Sequence, residues 1–308
     1  MENTDILTVD KVTKRYAKHT ALEEVSLNMP KGSIFGLLGP NGAGKTSLIR
    51  IITQITAADE GKVLFNGRTL QREDIARIGY LPEERGLYKK MKVGEQLIYL
   101  ARLKGLSMHD AKKRIKFWLE KFDMTTWWNK AIEDLSKGMQ QKVQFIATII
   151  HQPELLILDE PFSGFDPINT NLIKDEIMRL RNEGCSIIFS THRMESVEEL
   201  CDYIALINQS KKVLEGKTKE IKENYKEGIY FVETDREIAS GGEDFSVLSA
   251  KESGDGTVQH RVKIHHGSLN DFVSKVVNQV SICALREEIP SVNEIFIRTV
   301  GETNGTSL

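Results

Sequence analysis

The chain is short of cysteine, of net charge and of long apolar runs, and each shortage excludes a class of protein. Three cysteines (Cys185, Cys201 and Cys283) stand far apart in 308 residues, with no CxxC pair. An odd, scattered set builds neither a disulfide scaffold nor a cysteine-rich zinc site, and it fits a reducing cytosol. No run approaches the roughly 20 apolar residues needed to span a bilayer. The opening MENTDILTVD is acidic and has no apolar stretch of signal-peptide length. At a membrane, such a chain needs another to supply the bilayer-crossing part. Basic and acidic residues nearly cancel, 42 against 44. That balance gives no global electrostatic reason to bind nucleic acid. Seven prolines and 7% aromatics argue against disorder and collagen-like repeats.

What is present reads as two domains, the expectation from 308 residues at roughly 150 per domain. Residues 1–220 alternate strands and helices. Ile6–Val12 alternates apolar and polar residues as a half-buried strand does. Leu22, Val25 and Leu27 continue that habit with an imperfect period. Ser33–Leu38 is a continuous apolar run entering a glycine-rich turn, as in a strand covered on both faces. Residues 93–150 form a helix-rich block, with apolar stripes at Val93, Leu97 and Leu100, at Ala111, Ile115, Trp118 and Phe122, and at Val143, Ile146 and Ile150. Strands follow at Leu155–Leu158, Ser186–Phe189 and Tyr203–Ile207, with a helix from Asn171 to Glu183. Residues 221–308 change texture and predict a small α+β domain, joined near Thr218 to Asn224. Its expected strands are Ile229–Val232, Phe245–Leu248, Val258–Ile264 and Ile295–Ile297, with one helix over Leu269–Gln279.

Gly39, Pro40, Asn41, Gly42, Ala43, Gly44, Lys45 and Thr46 fit GxxxxGK(S/T), with a buried-type strand before and a helix after. Glycines let backbone N–H groups face phosphate oxygens, and the helix N-terminus adds positive charge. Lys45 is expected on the β- and γ-phosphates and the Thr46 hydroxyl on Mg²⁺. A GTPase is disfavoured, since Asn129-Lys130-Ala131-Ile132 lacks the aspartate of NKxD. A nucleotide kinase would leave the later motifs unexplained. Leu155–Leu158 ends in Asp159 and Glu160. Asp159 is the expected Mg²⁺ partner. Glu160, placed on the opposite side by strand alternation, is the expected base for an attacking water.

Leu135-Ser136-Lys137-Gly138-Met139-Gln140-Gln141 resembles the LSGGQ signature of ATP-binding cassette (ABC) ATPases, and it precedes Asp159-Glu160 as in that family. Ser190-Thr191-His192 is similar to the family's switch histidine, and Pro161–Pro167, with Asp166, to its D-loop. Tyr16 resembles the aromatic that stacks on adenine. The match covers roughly residues 5–220, with every motif in family order. It implies an α/β P-loop NTPase cassette with a mixed sheet core, an antiparallel β subdomain and a helical subdomain. The cofactors implied are ATP and Mg²⁺. ATP would be bound by Tyr16, by Gly39 through Ser47, and by Ser136, Gly138 and Asp166; Thr46, Glu83 and Asp159 would hold the metal; Glu160 and His192 would be catalytic. It implies a head-to-tail homodimer sharing each ATP between one P-loop and the other chain's signature. A plain serine N-cap is the alternative reading of Ser136.

Three departures stand out. Lys137 and Met139 replace the usual glycine and glutamine of the signature, and Glu83, in Tyr80-Leu81-Pro82-Glu83, replaces the usual Q-loop glutamine with a charged group that donates no hydrogen bond when ionised. YLPEERGLY and the appended C-terminal domain resemble a bacterial export branch of the sodium- or drug-efflux type. A cytoplasmic ATPase subunit held at the inner membrane face by a permease is then implied. The helical block and Glu83–Met91 would pass motion to that permease. Trp127 and Trp128 are candidates for its docking groove, while Trp118 reads as core. A soluble ABC ATPase of translation or DNA repair is the rival. It is disfavoured by the single P-loop and the lack of sustained heptads. Intact Glu160 and His192 disfavour a regulatory module without turnover.

Overall fold

The computed structural model describes residues 4–17, 19–84, 86–239 and 242–303. The chain divides into two compact units. One holds the residues up to Thr218 together with those from Phe296 onward, the other Lys219–Ile295.

In the first unit, β1 (Asp5–Tyr16), β2 (His19–Pro30), β4 (Glu60–Phe65) and β5 (Arg68–Thr69) form an antiparallel sheet in the order β2-β1-β4-β5. The imperfect period of Leu22, Val25 and Leu27 has a local cause. Glu24 takes a left-handed φ of 48°, and the register slips between the Val12–Val25 and Lys14–Leu22 pairs. An inserted residue of this kind bends the strand and resets its alternation.

The central sheet holds β3 (Ile34–Leu38), β6 (Ile78–Leu81), β7 (Leu155–Asp159), β8 (Ser186–Ser190), β9 (Tyr203–Asn208) and β10 (Lys211–Lys217) in the order β10-β9-β3-β8-β7-β6. All its pairs are parallel except β9 with β10. β3, β7 and β8 are buried at every residue, which is why they read as unbroken apolar runs. α1 (Lys45–Ile52), α5 (Pro167–Asn182) and α6 (Met194–Leu200) follow β3, β7 and β8. Loops at the C-terminal ends of such strands are where α/β sheets bind ligands.

The helix-rich block is α2 (Val93–Leu103), α3 (Met108–Lys121) and α4 (Lys137–Ile149). Trp118 is buried there, stacked on Phe122 with ring centres 5.8 Å apart, and Phe122 meets Phe145 edge-on. Trp127 and Trp128 are half-buried. Trp128 packs so closely on Gly94 that a Cβ there would lie 2.5 Å from the indole.

The second unit carries β11 (Ile229–Thr234), β12 (Phe245–Glu252), β13 (Val258–Ile264) and β14 (Ile282–Glu287), antiparallel in the order β12-β13-β11-β14. Leading into it is α7 (Thr218–Asn224), so the expected linker is helical. Phe272 of α8 (Leu269–Val276) meets Phe245 edge-to-face at 4.9 Å, within a core of Val232, Val262 and Val276. The expected strand at Ile295–Ile297 lies instead inside α9 (Val292–Thr303). Ser291 and Glu294 form a reciprocal cap: the Ser291 N–H donates to the Glu294 carboxylate (2.7 Å) and the Glu294 N–H to Ser291 Oγ (3.2 Å). That S-x-x-E signal starts a helix and outweighs three β-favouring residues.

The small second core sets a testable expectation. Phe272→Ala should cost about 3–5 kcal/mol, the usual range for a buried phenylalanine. In hydrogen exchange, the β11–β14 amides should lose protection while those of β3 and β7 keep it. Equal loss in both units would contradict separate cores.

Candidate functional site

The loop between β3 and α1 has little room. Gly39 has φ 149°, and a Cβ there would sit 2.2 Å from the Ile207 carbonyl oxygen. Gly44 has φ 118°, and its Cβ would lie 2.3 Å from the Ala21 carbonyl oxygen. Only glycine fits either place. Between them Ala43 is buried, and its carbonyl accepts a hydrogen bond from the Ser210 N–H (3.3 Å). Lys45 Nζ donates to the Gly39 and Pro40 carbonyls at 2.7 and 3.0 Å. Burial lowers the pKa of its ammonium, while Asp159, Glu160 and Glu83 pull the other way.

Asp159 ends β7 and is 7% exposed. Burial pushes its carboxyl above the usual range, with Glu83 and Glu160 adding to the rise and Ser190 and Lys45 opposing it. Tyr80, on the neighbouring strand, is pushed up to about 12, first by burial and then by the charge of Asp159.

Glu160 corrects the alternation argument. It is no longer in the strand: its φ is 49°, a left-handed turn just past Asp159. Both carboxylates therefore line one cleft. The turned residue is tied to the end of β8. Its N–H donates to the Ser190 carbonyl (2.8 Å), Thr191 Oγ1 donates to Oε2 (3.1 Å), and the His192 N–H donates to Oε1 (2.9 Å). His192 Nδ1 lies 2.8 Å from the same Oε1.

The cleft has a volume of about 290 Å³. Asn41, Gly42, Gly44, Lys45, Thr46, Ser47, Glu83, Asp159, Glu160 and His192 line it. Gly39 and Pro40 take part through the carbonyls that hold Lys45. Tyr16, Ser136, Gly138 and Asp166 are not among the lining residues. Tyr16 stands behind a residue that is, His19. Ser136 N-caps α4, accepting from the Met139 N–H (3.3 Å). Gly138 faces Gly164 and Phe165 at ordinary contact distance. Asp166 N-caps α5 through the Asn169 N–H (3.0 Å), a bond that keeps its carboxyl low. Sequence reasoning missed His19, Ala21 and Ser190 as lining residues. His19 and Ala21 lie two apart on β2 and so share a face, a signal visible only once β2 is known to border the loop.

Hard oxygen donors dominate the cleft: the Thr46 hydroxyl and the carboxylates of Glu83, Asp159 and Glu160. Among the described residues no group of three or more His, Cys, Asp or Glu side chains could hold a metal ion. This donor set fits Mg²⁺, which takes one or two carboxylates and completes its shell with phosphate and water oxygens.

The raised pKa of Asp159 gives a prediction with a definite sign. A carboxyl whose folded pKa exceeds its unfolded value binds more protons when folded, so its contribution to stability falls as pH rises. Asp159→Asn should therefore stabilise the nucleotide-free protein at neutral pH, with the gain shrinking as pH drops into the carboxylate range. A gain of about 1 kcal/mol would read as roughly 2–4 °C in thermal unfolding. A lower melting temperature at neutral pH would contradict it.

The geometry has relatives. A family model described as ABC transporter matches residues 22–163, and one described as ATP-binding protein DrrA1-3-like, C-terminal domain, matches residues 216–300. The uncharacterized ABC transporter ATP-binding protein YhaQ of Bacillus subtilis is 43% identical over 297 residues, 96% of this chain and 99% of that one. The daunorubicin resistance ATP-binding protein DrrA3 of Streptomyces coeruleorubidus is 32% identical, over 70% of this chain and 69% of its own length. The linearmycin resistance ATP-binding protein LnrL of Bacillus subtilis is 36% identical, over 68% and 69%. A solved ATP-binding subunit of an ABC transporter superposes with a TM-score of 0.67 at 28% identity, over 71% of this chain and 93% of that one. No translation or repair ATPase is among these relatives. The chain belongs to the ATP-binding proteins of ABC transporters, whose cassettes hydrolyse ATP to power transport.

Proposed function

We propose that the cleft hydrolyses ATP with Glu160 as base, and that two copies of the chain close around the nucleotide to drive a separate export permease. One observation carries the reading. Lys45, Thr46, Asp159, Glu160 and His192, drawn from the ends of three neighbouring parallel strands, face one space.

In this reading Lys45 leaves the Gly39 and Pro40 carbonyls for the β- and γ-phosphates. The backbone N–H groups of the loop and the start of α1 cradle the remaining oxygens. Thr46, Asp159 and Glu83 would hold Mg²⁺ together with phosphate oxygens; when bound, the ion neutralises charge on the phosphates. Glu160 orients the attacking water and accepts its proton. His192, already against Glu160 Oε1, keeps that carboxylate aimed and reaches the γ-phosphate.

The shared-nucleotide arrangement has its own support. Ser136 and Gly138 sit at the N-terminal end of α4, a second anion-binding end outside the cleft. A second copy brings that end to the phosphates, where charge-assisted hydrogen bonds from both chains bridge the γ-phosphate until hydrolysis removes it. Asp166 would act at the same junction. Among the described residues no helix is long and apolar enough to cross a membrane. A permease therefore supplies the path, and the cassette sits on its cytoplasmic side. Export of a drug-like compound is favoured by the daunorubicin and linearmycin resistance named for two relatives.

Glu160→Gln should cut phosphate release by about 10²–10⁴-fold, the usual worth of a positioned base. With Mg²⁺ and ATP the same variant should run as a dimer in light scattering. Unchanged hydrolysis would remove Glu160 from its role. A monomer with saturated nucleotide sites would remove the shared clamp while leaving the base assignment standing.

A further inference from the structure

We propose that Thr191 is a positioning residue for hydrolysis, and that it makes Oε2 of Glu160 the atom that takes the proton of the attacking water. The proposal rests on the reading of Glu160 as base.

Thr191 follows the last residue of β8 and stands between two residues that line the cleft, Ser190 and His192. It does not line the cleft itself, and it is 2% exposed. Two contacts fix its hydroxyl. The Arg193 N–H donates to Oγ1 (3.1 Å), and Oγ1 donates to Glu160 Oε2 (3.1 Å). A hydroxyl has one proton to give. With the Arg193 N–H seated on one lone pair of Oγ1, that proton is left pointing at the carboxylate.

The two oxygens of Glu160 are then unequal. An ionised carboxylate gives no proton and offers about four lone-pair sites, two on each oxygen. Oε1 accepts from the His192 N–H (2.9 Å) and faces His192 Nδ1 (2.8 Å). Because the ionised group cannot donate, Nδ1 carries the proton of that second contact. Both sites on Oε1 are therefore in use. Among the described residues, Oε2 has Thr191 Oγ1 as its one donor. The open site of the base is on Oε2, in a side chain that borders the cleft. There the water gives one proton to Oε2 while its oxygen bonds to the γ-phosphorus. The bond from that phosphorus to the bridging oxygen breaks, and its electron pair stays with ADP. Thr191 touches neither water nor phosphate. It acts through Glu160, by stopping the carboxylate from rotating and exchanging its oxygens.

The test uses the full-length chain with Mg²⁺ and ATP. Thr191→Val removes the hydroxyl and keeps the shape. It should cut kcat about 10–100-fold, the worth of one hydrogen bond to a charged group, and leave KM unchanged. Thr191→Ser should restore most of the rate. In a Glu160→Gln background, Thr191→Val should cost nothing further in single-turnover phosphate release. If Thr191→Val does not fold, Thr191→Ala poses the same question without the hydroxyl. An unchanged kcat overturns the proposal, as does a loss confined to KM. So does a loss that Thr191→Ser fails to restore, or an equal loss in the Glu160→Gln background, which would make Thr191 independent of Glu160. A crystal structure with Mg²⁺, ADP and orthovanadate should place the apical oxygen on Oε2, with Thr191 still bonded to it. An apical oxygen on Oε1 overturns the assignment of the atom. If Glu160→Gln itself hydrolyses ATP as wild type does, the reading of Glu160 as base fails instead.

Discussion

The cleft depends on a backbone turn that costs energy. Glu160 holds a left-handed φ of 49°, where a residue with a side chain is disfavoured by roughly 1–2 kcal/mol. Such strain persists only where the surroundings over-determine it. Here the end of β8 does so, through the Ser190 carbonyl, the Thr191 hydroxyl and the His192 N–H, all bonded to Glu160. The turn brings Glu160 to the same space as Asp159. Without it, strand alternation would send the second carboxylate to the other face of the sheet, away from Lys45. The strain and the assembly of the site are one feature.

The charges follow from that assembly. Three carboxylates act on one half-buried lysine: Asp159, Glu160 and Glu83 all raise the Lys45 pKa against the effect of burial. Glu83 and Glu160 in turn push Asp159 toward its neutral form. A triphosphate entering alone would add negative charge to a space that already disfavours it. A divalent cation reverses the sign for both partners, since it is attracted to the carboxylates and to the phosphates together. Nucleotide and cation should therefore bind as coupled ligands, each strengthening the other by the same free energy. In the proposed site Glu83 would contribute to this coupling as a charge, which a neutral glutamine at that position would not.

The phosphate loop and its sheet were legible because their signals are local. A glycine pattern between a buried strand and a helix needs no tertiary context, and the runs at β3, β7 and β8 declare strands covered on both faces. What escaped the sequence lies in relations between distant segments. His19 looks like any loop histidine until β2 is laid against Gly44 and Ser210. Glu160 reads as the next strand residue until β8 captures it. α9 escaped for a different reason: its capping pair, Ser291 and Glu294, was present, but the short apolar run at Ile295–Ile297 drew a strand assignment. β14, with Cys283 and Ala284 exposed at a sheet edge, has too little alternation to announce itself.

The geometry also bears on the proposed pairing of two copies. Preorganised dipoles and a positioned base act strongly where water is excluded. The cleft does not meet that condition alone. His192 is 76% exposed at its side chain, although its ring touches the proposed base. Ser136 caps α4 and Asp166 caps α5. Neither element borders the cleft of its own chain. In the proposed pair, the end of α4 on a second copy would cover His192 with the right polarity for a γ-phosphate. In that arrangement closure and catalytic competence are the same event, so the energy of gripping the phosphate from two sides is available to move whatever the two cassettes are attached to.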